Sequence, residues 1–291
     1  MIPVEVRKAF QDYCLKQGKS HEIKNLRNIV GGSINTAHSI ETYDDLYFLK
    51  YNNAKAHPQM FYSEFKGLKL LEQSNSIRIP QPIFHYEGDS NSFLLLEYIE
   101  QKGQVLDFWE KFARQLSFMH QLTDDSFGLD FDNYMGSLPQ SNKRHQTFPK
   151  FFINQRLIPQ IKKARDDGFL TKKHVQQSER LFLALPSIFP PEKPALVHGD
   201  LWSGNFMSDE RGEPVIMDPA VYFGHREVDI AMSTFFGGFS SSFYEAYHEE
   251  FPMERNWEAR LPYYNLYPIL IHINLFGFSY LDSFQKVLNP F

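Results

Sequence analysis

A polar loop between two short apolar runs constrains this chain more than any other stretch. Residues 195–197 predict a short buried strand that leads into His198-Gly199-Asp200-Leu201-Trp202-Ser203-Gly204-Asn205. The two glycines let the backbone bend tightly, so that side chains can converge. A second apolar run, residues 215–217, ends at Asp218. We expect the two runs to pair as a hairpin that brings Asp200, Asn205 and Asp218 to one edge.

These three side chains form the set that phosphoryl transfer from a nucleotide requires. One carboxylate accepts the proton of the acceptor hydroxyl, while an amide oxygen and a second carboxylate hold the metal that neutralises the phosphates. Four residues separate Asp200 from Asn205, as in the catalytic loop of protein kinases. The alternative is a solvated loop in which Asp and Asn cap turns. Further candidate kinase residues elsewhere in the chain are needed to distinguish the two interpretations.

Composition argues against several other classes of protein. The net charge is −5, whereas binding of nucleic acid requires a basic face. Cys14 is the single cysteine, which excludes an internal disulfide and a thiolate metal cluster. No uninterrupted apolar run reaches membrane-spanning length, and residues 1–5 lack the features of a signal peptide. We therefore expect a soluble, cytoplasmic protein with no nucleic-acid or membrane partner.

The first hundred residues carry candidate phosphate-binding groups. Residues 23–30 predict a strand that ends in the turn Gly31-Gly32-Ser33, and a returning strand follows. Backbone N–H groups of such a turn can approach phosphates closely, although most of these turns are ordinary hairpins. A third strand, residues 46–51, places Lys50 after an apolar and aromatic run. This lysine is either a phosphate ligand or a strand-end residue in solvent.

The helix predicted at residues 57–74 supplies a partner for Lys50. Glu64 lies on the apolar stripe of this helix, where a carboxylate is costly unless it is paired. In kinases, a strand lysine paired with a helix glutamate is aimed at the phosphates. Glu64 could instead lie at the edge of the stripe. The order of glycine turn, lysine, glutamate and Asp/Asn/Asp set favours the paired interpretation.

Strands at residues 83–87 and 93–99 complete the predicted sheet. The second strand exits at Glu97-Tyr98-Ile99-Glu100, where the crossover of a two-lobed kinase carries the backbone groups that bind adenine. A polar linker follows. We therefore expect an N-terminal nucleotide-binding lobe, residues 1–100, and a C-terminal lobe, residues 101–291, with the catalytic loop and the substrate site.

The C-terminal lobe is predicted to be mostly helical. Helices are expected at residues 105–122, 149–166 with a kink at Pro159, and 172–185, and an irregular loop at 127–150. His120 is expected to be a packed histidine. Asp229 is expected to brace the catalytic loop by accepting its backbone N–H bonds.

The chain resembles the fructosamine kinase (ketosamine-3-kinase) family of the aminoglycoside-phosphotransferase-like kinases. The most specific element is Leu-Trp-Ser-Gly-Asn after Asp200, since relatives that act on aminoglycosides or choline usually lack this Trp. The other matching stretches are Asp132-Asn133-Tyr134 through Pro139-Gln140, Asp218-Pro219-Ala220, residues 224–231 and Leu275-Phe276-Gly277. The resemblance implies an α+β, two-lobed protein-kinase-like fold. Its N-lobe would be a small antiparallel sheet with one main helix, and its C-lobe larger and mostly helical.

The resemblance also implies a reaction. The expected enzyme uses ATP and Mg²⁺ to phosphorylate the 3-hydroxyl of ketosamines, the sugar adducts of lysine side chains, which destabilises the adduct and releases the amine. Its acceptor would be a small-molecule ketosamine or a glycated protein lysine. Some family members carry a redox-sensitive cysteine in the glycine-rich loop. Cys14 lies well before that loop, so we do not expect such control here.

Candidate roles follow from the residues and the resemblance together. Asp200 is the expected general base, Asn205 and Asp218 the magnesium ligands, and Lys50, oriented by Glu64, the phosphate contact. The remaining nucleotide-binding candidates are Gly31, Gly32, Ser33, Glu97 and Ile99. Trp202 offers an apolar plane for a sugar ring, unless it packs in the core of the loop. Glu227 and His272 are weaker substrate candidates, and either could be structural.

Two other functions stay open at this point. One is an aminoglycoside, choline or sugar phosphotransferase of the same fold. The acidic residues Glu249, Glu250, Glu254 and Glu258 would suit a polycationic acceptor, although such a run is usually a solvated face. The other is a non-catalytic nucleotide-binding protein, against which the intact lysine, aspartates and asparagine weigh. The sequence does not determine the oligomeric state.

Overall fold

The structure, a computed structural model, describes residues 2–29 and 34–291. The predicted turn of Gly31, Gly32 and Ser33 lies outside the described residues. The chain forms two compact units, one of Met1–Leu106 with Met207–Asp218 and one of Asp107–Phe206 with Pro219–Phe291. The predicted lobe boundary between residues 100 and 101 stays a prediction. Within the described residues, no helix has the length and apolar character needed to cross a membrane.

The helices and strands are numbered here in chain order. The helices are α1 (Val4–Lys16), α2 (Met60–Ser74), α3 (Phe108–His120), α4 (Phe148–Phe151), α5 (Ile158–Asp166), α6 (Lys172–Ile188), α7 (Glu227–Ser233), α8 (Ser241–Glu250), α9 (Trp257–Tyr264), α10 (Leu266–Phe276) and α11 (Leu281–Leu288). The strands are β1 (Asn25–Ile29), β2 (Thr36–Glu41), β3 (Leu46–Asn53), β4 (Pro82–Glu87), β5 (Asn91–Glu97), β6 (Asn133–Met135), β7 (Leu138–Gln140), β8 (Ala195–Val197), β9 (Phe206–Ser208), β10 (Pro214–Ile216) and β11 (Tyr222–Gly224).

The first unit is built on a five-stranded antiparallel sheet in the order β1-β2-β3-β5-β4. Phe10 of α1 packs with Leu49 of β3 and Phe93 of β5 in one buried core. Successive side chains of a strand point to opposite faces of the sheet. Lys50, which follows Leu49, therefore points away from this core and towards the face that α2 covers.

The second unit is mostly helical, and with the sheet of the first unit it confirms the predicted α+β class. The strand pairing around residues 198–205, called the catalytic loop after its predicted role, differs from the prediction. The sequence predicted that the run at 195–197 pairs with the run at 215–217. Instead β8 pairs with β11, and β10 pairs with β9, which directly follows the loop. Strands of three residues carry too little pattern to select a partner, so the prediction was wrong.

The helix predicted at residues 149–166 is formed, because α4, a π-helical turn (Phe152–Leu157) and α5 follow one another without a break. Pro159 is the second residue after the π-helical turn, which is the kind of irregularity at which helices bend. The kink predicted at Pro159 stays a prediction. The loop expected at 127–150 contains the hairpin of β6 and β7, whose turn includes Gly136 at φ +60°.

Candidate active site

A buried lysine lies between two carboxylates in the first unit. The Nζ atom of Lys50, on β3, lies 2.5 Å from Oε1 of Glu64, on α2, and 2.6 Å from Oδ1 of Asp218. The side chains of Lys50 and Glu64 are 5% and 11% exposed, whereas that of Asp218 is 54% exposed. The predicted pair of Lys50 and Glu64 is therefore formed.

The charges of these groups shift their protonation equilibria. Burial acts to lower the pKa of Lys50, but the charges of Asp218 and Glu64 outweigh it, so that the pKa is raised and the ammonium is retained. Burial raises the pKa of Glu64, and the Lys50 ammonium opposes that rise. Lys50 is thus held as a cation in a place that water barely reaches, which suits a contact to phosphate.

Asp218 has an unusual backbone conformation. It follows β10 by two residues and adopts φ +54°, in the left-handed region that non-glycine residues rarely occupy. Strained backbone of this kind concentrates at functional sites, where the surrounding structure holds it. The half-exposed carboxylate that results is consistent with a metal ligand.

The catalytic loop lies in the second unit, where Asn205 contacts Asp200. The amide nitrogen of Asn205 donates to the backbone carbonyl of Asp200 at 2.8 Å and to its carboxylate Oδ2 at 3.0 Å. Asn205 is buried. Because the nitrogen of this amide donates to Asp200, the carbonyl oxygen is the atom of Asn205 that would serve as the predicted metal ligand.

Asp229 of α7 holds the loop in place. Its carboxylate accepts the backbone N–H of His198 at 2.7 Å and that of Gly199 at 2.9 Å, which confirms the predicted bracing role. His120 is fully buried, with its ring nitrogens 3.1 Å from Asp229 and 2.6 Å from the hydroxyl of Tyr247. The prediction that His120 is a packed histidine is also confirmed.

An aromatic surface borders the loop within the second unit. Trp202 is half-buried, and its ring lies edge-on to that of Phe236, with 5.3 Å between the centroids. The ring of His272 lies 5.3 Å from that of Phe236 and 4.7 Å from that of Tyr280. Phe236 is 46% exposed and has φ +53°. Sequence reasoning missed Phe236, whose only local signal is the Gly237-Gly238 pair that follows it.

The other predicted site residues are placed as follows. Glu227 is fully buried and its carboxylate accepts two bonds from the guanidinium of Arg260, so the geometry favours its structural alternative. Glu97, at the end of β5, forms an ion pair with Arg78 at 2.7 Å. Ile99 is buried. The roles of Glu97 and Ile99 in nucleotide binding stay predictions.

Asn205 and Asp218 each carry an oxygen donor of the kind that magnesium ions prefer. Within residues 2–29 and 34–291, the structure holds no cluster of three or more His, Cys, Asp or Glu side chains that would bind a metal alone. Mg²⁺ is usually held by one or two protein ligands together with waters and substrate phosphates. The amide of Asn205 and the carboxylate of Asp218 are each suited to such a role, and their binding of one shared ion stays a prediction.

Comparison with known proteins gives consistent relatives over nearly the whole chain. The sequence profile of a family described as fructosamine kinase matches residues 7–291. A probable ketoamine kinase of Enterococcus faecium is 40% identical over 273 residues, which cover 90% of this chain and 94% of that protein. The chloroplastic protein-ribulosamine 3-kinase of Arabidopsis thaliana is 35% identical over 288 residues, 97% of this chain and 86% of that protein.

Solved structures agree with the sequence comparison. A crystal structure from Haemophilus somnus 129PT, provisionally named a fructosamine-3-kinase, has a TM-score of 0.87 at 29% identity and covers 97% of this chain and 96% of that one. An aminoglycoside phosphotransferase solved with AMP-PNP and hygromycin B has a TM-score of 0.63 at 16% identity over 99% and 98% of the two chains, a likeness of fold alone. The predicted kinase-like α+β fold is thereby confirmed, and the chain belongs to the fructosamine kinase family.

Proposed function

We propose that this protein is an ATP-dependent kinase that phosphorylates the 3-hydroxyl of ketosamines. The observation that carries the proposal is the family match over residues 7–291, within which Lys50, Asp200, Asn205 and Asp218 are all present. Two relatives bear the names ketoamine kinase and protein-ribulosamine 3-kinase, which supports a sugar–amine adduct as the acceptor.

The reaction joins the 3-hydroxyl oxygen of the acceptor to the γ-phosphorus of ATP, and ADP leaves. Asp200 accepts the hydroxyl proton as the new bond forms, the usual part of a positioned carboxylate. Lys50, kept charged by Glu64 and Asp218, contacts the phosphates. Asn205 and Asp218 would hold Mg²⁺, which supplies charge neutralisation to the phosphates when bound.

The acceptor is positioned by the aromatic surface of Trp202 and Phe236. Trp202 lies two residues from Asp200, and its indole face covers Gly204, where an added Cβ would come within 2.4 Å of the ring. An aromatic plane of this kind can stack on the apolar face of a sugar ring and exclude water from it. His272, whose ring lies 5.3 Å from that of Phe236, is a further proposed contact to the acceptor.

The biological role proposed is repair or salvage of glycated amines. A 3-phosphate makes the ketosamine adduct unstable, so the amine is released after phosphorylation. The proposed acceptor is a small-molecule ketosamine or a glycated protein lysine. We place the reaction in the cytoplasm, although the plant relative is named chloroplastic.

A panel of acceptors tests the proposal against other kinases of the same fold. The protein is incubated with ATP, Mg²⁺ and, separately, fructosyl-lysine, ribulosyl-lysine, kanamycin and choline, and new phosphate esters are located by phosphorus NMR. We expect a 3-phosphate on one or both ketosamines and none on kanamycin or choline. Phosphorylation of kanamycin or choline alone would refute the ketosamine assignment. No phosphorylation of any acceptor, with ATP bound, would favour the non-catalytic alternative.

A further inference from the structure

The stretch 132–140, which resembles the family, contributes no group to the proposed reaction. Its side chains form a buried hydrogen-bonded network in the second unit. Asn133 and Gln140, called here the amide pair, are 5% and 1% exposed. The amide nitrogen of Gln140 donates to Oδ1 of Asn133 at 2.7 Å, and Tyr267 donates its hydroxyl to the amide oxygen of Gln140 at 2.9 Å.

The amide pair binds the backbone that follows Asp218. The nitrogen of Gln140 donates to the carbonyl of Ala220 at 3.1 Å, and that of Asn133 donates to the carbonyl of Val221 at 2.8 Å. Both carbonyls belong to buried residues. A buried carbonyl that loses its donor costs the free energy of its desolvation, so these two bonds define where this backbone lies.

The same backbone is in direct contact with the catalytic loop. The N–H of Ala220 donates to the carbonyl of His198 at 2.9 Å. Gly199 has φ +82°, and a Cβ added to it would lie 2.2 Å from the carbonyl oxygen of Ala220. The carbonyl that Gln140 holds is therefore the one against which the loop packs, one residue before Asp200.

The buried side chain of Arg156 also binds this network. The guanidinium of Arg156, on the π-helical turn, donates to the carbonyl of Ser141 at 2.5 Å and to Oδ1 of Asn142 at 2.6 Å. It lies 4.2 Å from the ring centroid of Tyr222. Asn142 in turn donates to Oδ1 of Asn133 at 3.0 Å. The four side chains of this network, those of Asn133, Gln140, Asn142 and Arg156, are all buried, so a lost bond is poorly replaced by water.

We propose that Asn133 and Gln140 are positioning residues of the kinase. By fixing the backbone at Ala220 and Val221, they set the position of the catalytic loop that packs against it. Asp229 holds the loop directly, through the N–H groups of His198 and Gly199. The amide pair holds it indirectly, through the backbone on which the loop packs. Displacement of reacting groups by about 1 Å can cost 10²-fold in rate. This inference rests on the proposed function for its kinetic test, but not for its structural one.

The test compares Gln140→Met with Gln177→Met, a matched control in the same unit. Gln177 is also buried and donates its amide N–H to a backbone carbonyl, that of Leu288, away from the catalytic loop. For Gln140→Met we expect turnover roughly 10- to 100-fold below wild type with little change in the Michaelis constant for ATP. Gln177→Met should lower the melting temperature by a few degrees, as loss of one buried hydrogen bond does, and keep wild-type turnover.

Amide hydrogen exchange gives a readout that does not depend on activity. Peptides over residues 198–205 should exchange faster in Gln140→Met and in Asn133→Ala, but not in Gln177→Met. Unchanged exchange and turnover in folded Gln140→Met would overturn the proposal. Failure of both amide-pair variants to fold, with Gln177→Met folded, would assign the network to stability alone and overturn it too. If the wild type phosphorylates no ketosamine, the proposed function fails, while the exchange result still decides this inference.

Discussion

The ammonium of Lys50 lies 2.5 Å from the carboxylate of Glu64, and both side chains are almost withdrawn from solvent. Taking two charges out of water is costly, and the cost is offset only while the partners stay together. The pair links strand β3 of the sheet to helix α2. It therefore connects the stability of the first unit to the placing of the phosphate-binding group.

Removal of the glutamate should harm both stability and turnover. Breaking a buried ion pair costs roughly 3–5 kcal/mol of unfolding free energy. Because Asp218 still pairs with Lys50 in Glu64→Ala, we expect a loss near the lower end of this range. Turnover should fall as well, and Lys50→Ala should impair it at least as severely. Denaturant unfolding and steady-state kinetics measure the two effects. The control is Glu72→Ala on the same helix, whose partner Lys69 is exposed; equal effects of Glu64→Ala and Glu72→Ala would refute the role of the pair.

Loss of the proposed base should slow the reaction without weakening nucleotide binding. Asp200→Asn keeps the backbone carbonyl that accepts the Asn205 amide N–H but removes the proton acceptor. Turnover should fall by roughly 10²–10⁴, the usual range for a positioned base. The Michaelis constant for ATP should change little. Kinetics of the purified variant decide the matter, and near-normal turnover would exclude Asp200 as the base.

Variants of Trp202 distinguish a residue that contacts the substrate from one that packs in the core. Trp202→Ala should raise the Michaelis constant for a ketosamine and reduce turnover by up to about 10²-fold, while that for ATP stays close to wild type. Trp202→Phe should recover part of the loss, since an aromatic plane remains. A core role predicts instead a large drop in melting temperature, with both Michaelis constants deteriorating together. An unchanged ketosamine constant in folded Trp202→Ala would show that the indole does not contact the sugar.

Arg78 should stabilise the turn between β9 and β10 at neutral pH. Burial acts to raise the pKa of Asp209, but backbone N–H bonds and the Arg78 guanidinium at 2.6 Å lower it to about 2. A carboxyl whose folded pKa is lowered adds stability above its unfolded pKa, and this stability is lost as pH falls from about 4 to 2. Arg78→Met should cost about 1.5–3 kcal/mol at pH 7 and make the acid dependence shallower.

Arg211→Met is the matched control for this effect. Arg211 contacts the same carboxylate at 3.4 Å, but its side chain is 70% exposed. Surface pairs contribute about 0–1 kcal/mol, so Arg211→Met should leave unfolding at pH 7 nearly unchanged. Denaturant unfolding of both variants at pH 3 and pH 7 gives the comparison. Equal losses in the two variants would contradict the prediction.

His225 should make the folded state sensitive to mild acid. Burial lowers the pKa of His225 to about 4, against the opposing charge of Glu227. The unfolded chain binds this proton near pH 6.5, so stability is lost as pH falls from about 6.5 to 4. The loss would reach about 3 kcal/mol at 1.36 kcal/mol per pKa unit. His225→Gln cannot titrate, so its unfolding free energy should fall less between pH 7 and pH 5; an identical slope would contradict this.

Much of the candidate site could be predicted from the sequence because its signals are local. The position of Glu64 on the apolar stripe of one helix required a cationic partner, and Lys50 was the one that a neighbouring strand supplied. Asp200 and Asn205, separated by four residues, lie in a single loop. The side-chain amide of Asn205 contacts Asp200 directly. The bracing by Asp229 was also predicted, since an acidic residue after such a loop can accept its N–H groups.

Other features depended on contacts between distant parts of the chain. The partner of β8 is β11, not the run that ends at Asp218, because three-residue strands are paired by the packing around them rather than by their own pattern. Phe236 reaches Trp202 only through the turn after α7.

The sequence by itself determined the residue types of the site, their order along the chain and the family to which they belong. The tertiary structure decided which of the buried charges and amides are structural. Glu227 became a partner of Arg260, 33 residues away, and Gln140 became a donor to the carbonyl of Ala220, 80 residues away. The physical reason is that a buried polar group needs a hydrogen-bond partner, and the fold can supply that partner from any part of the chain. A local pattern of residues therefore does not predict which partner it will be.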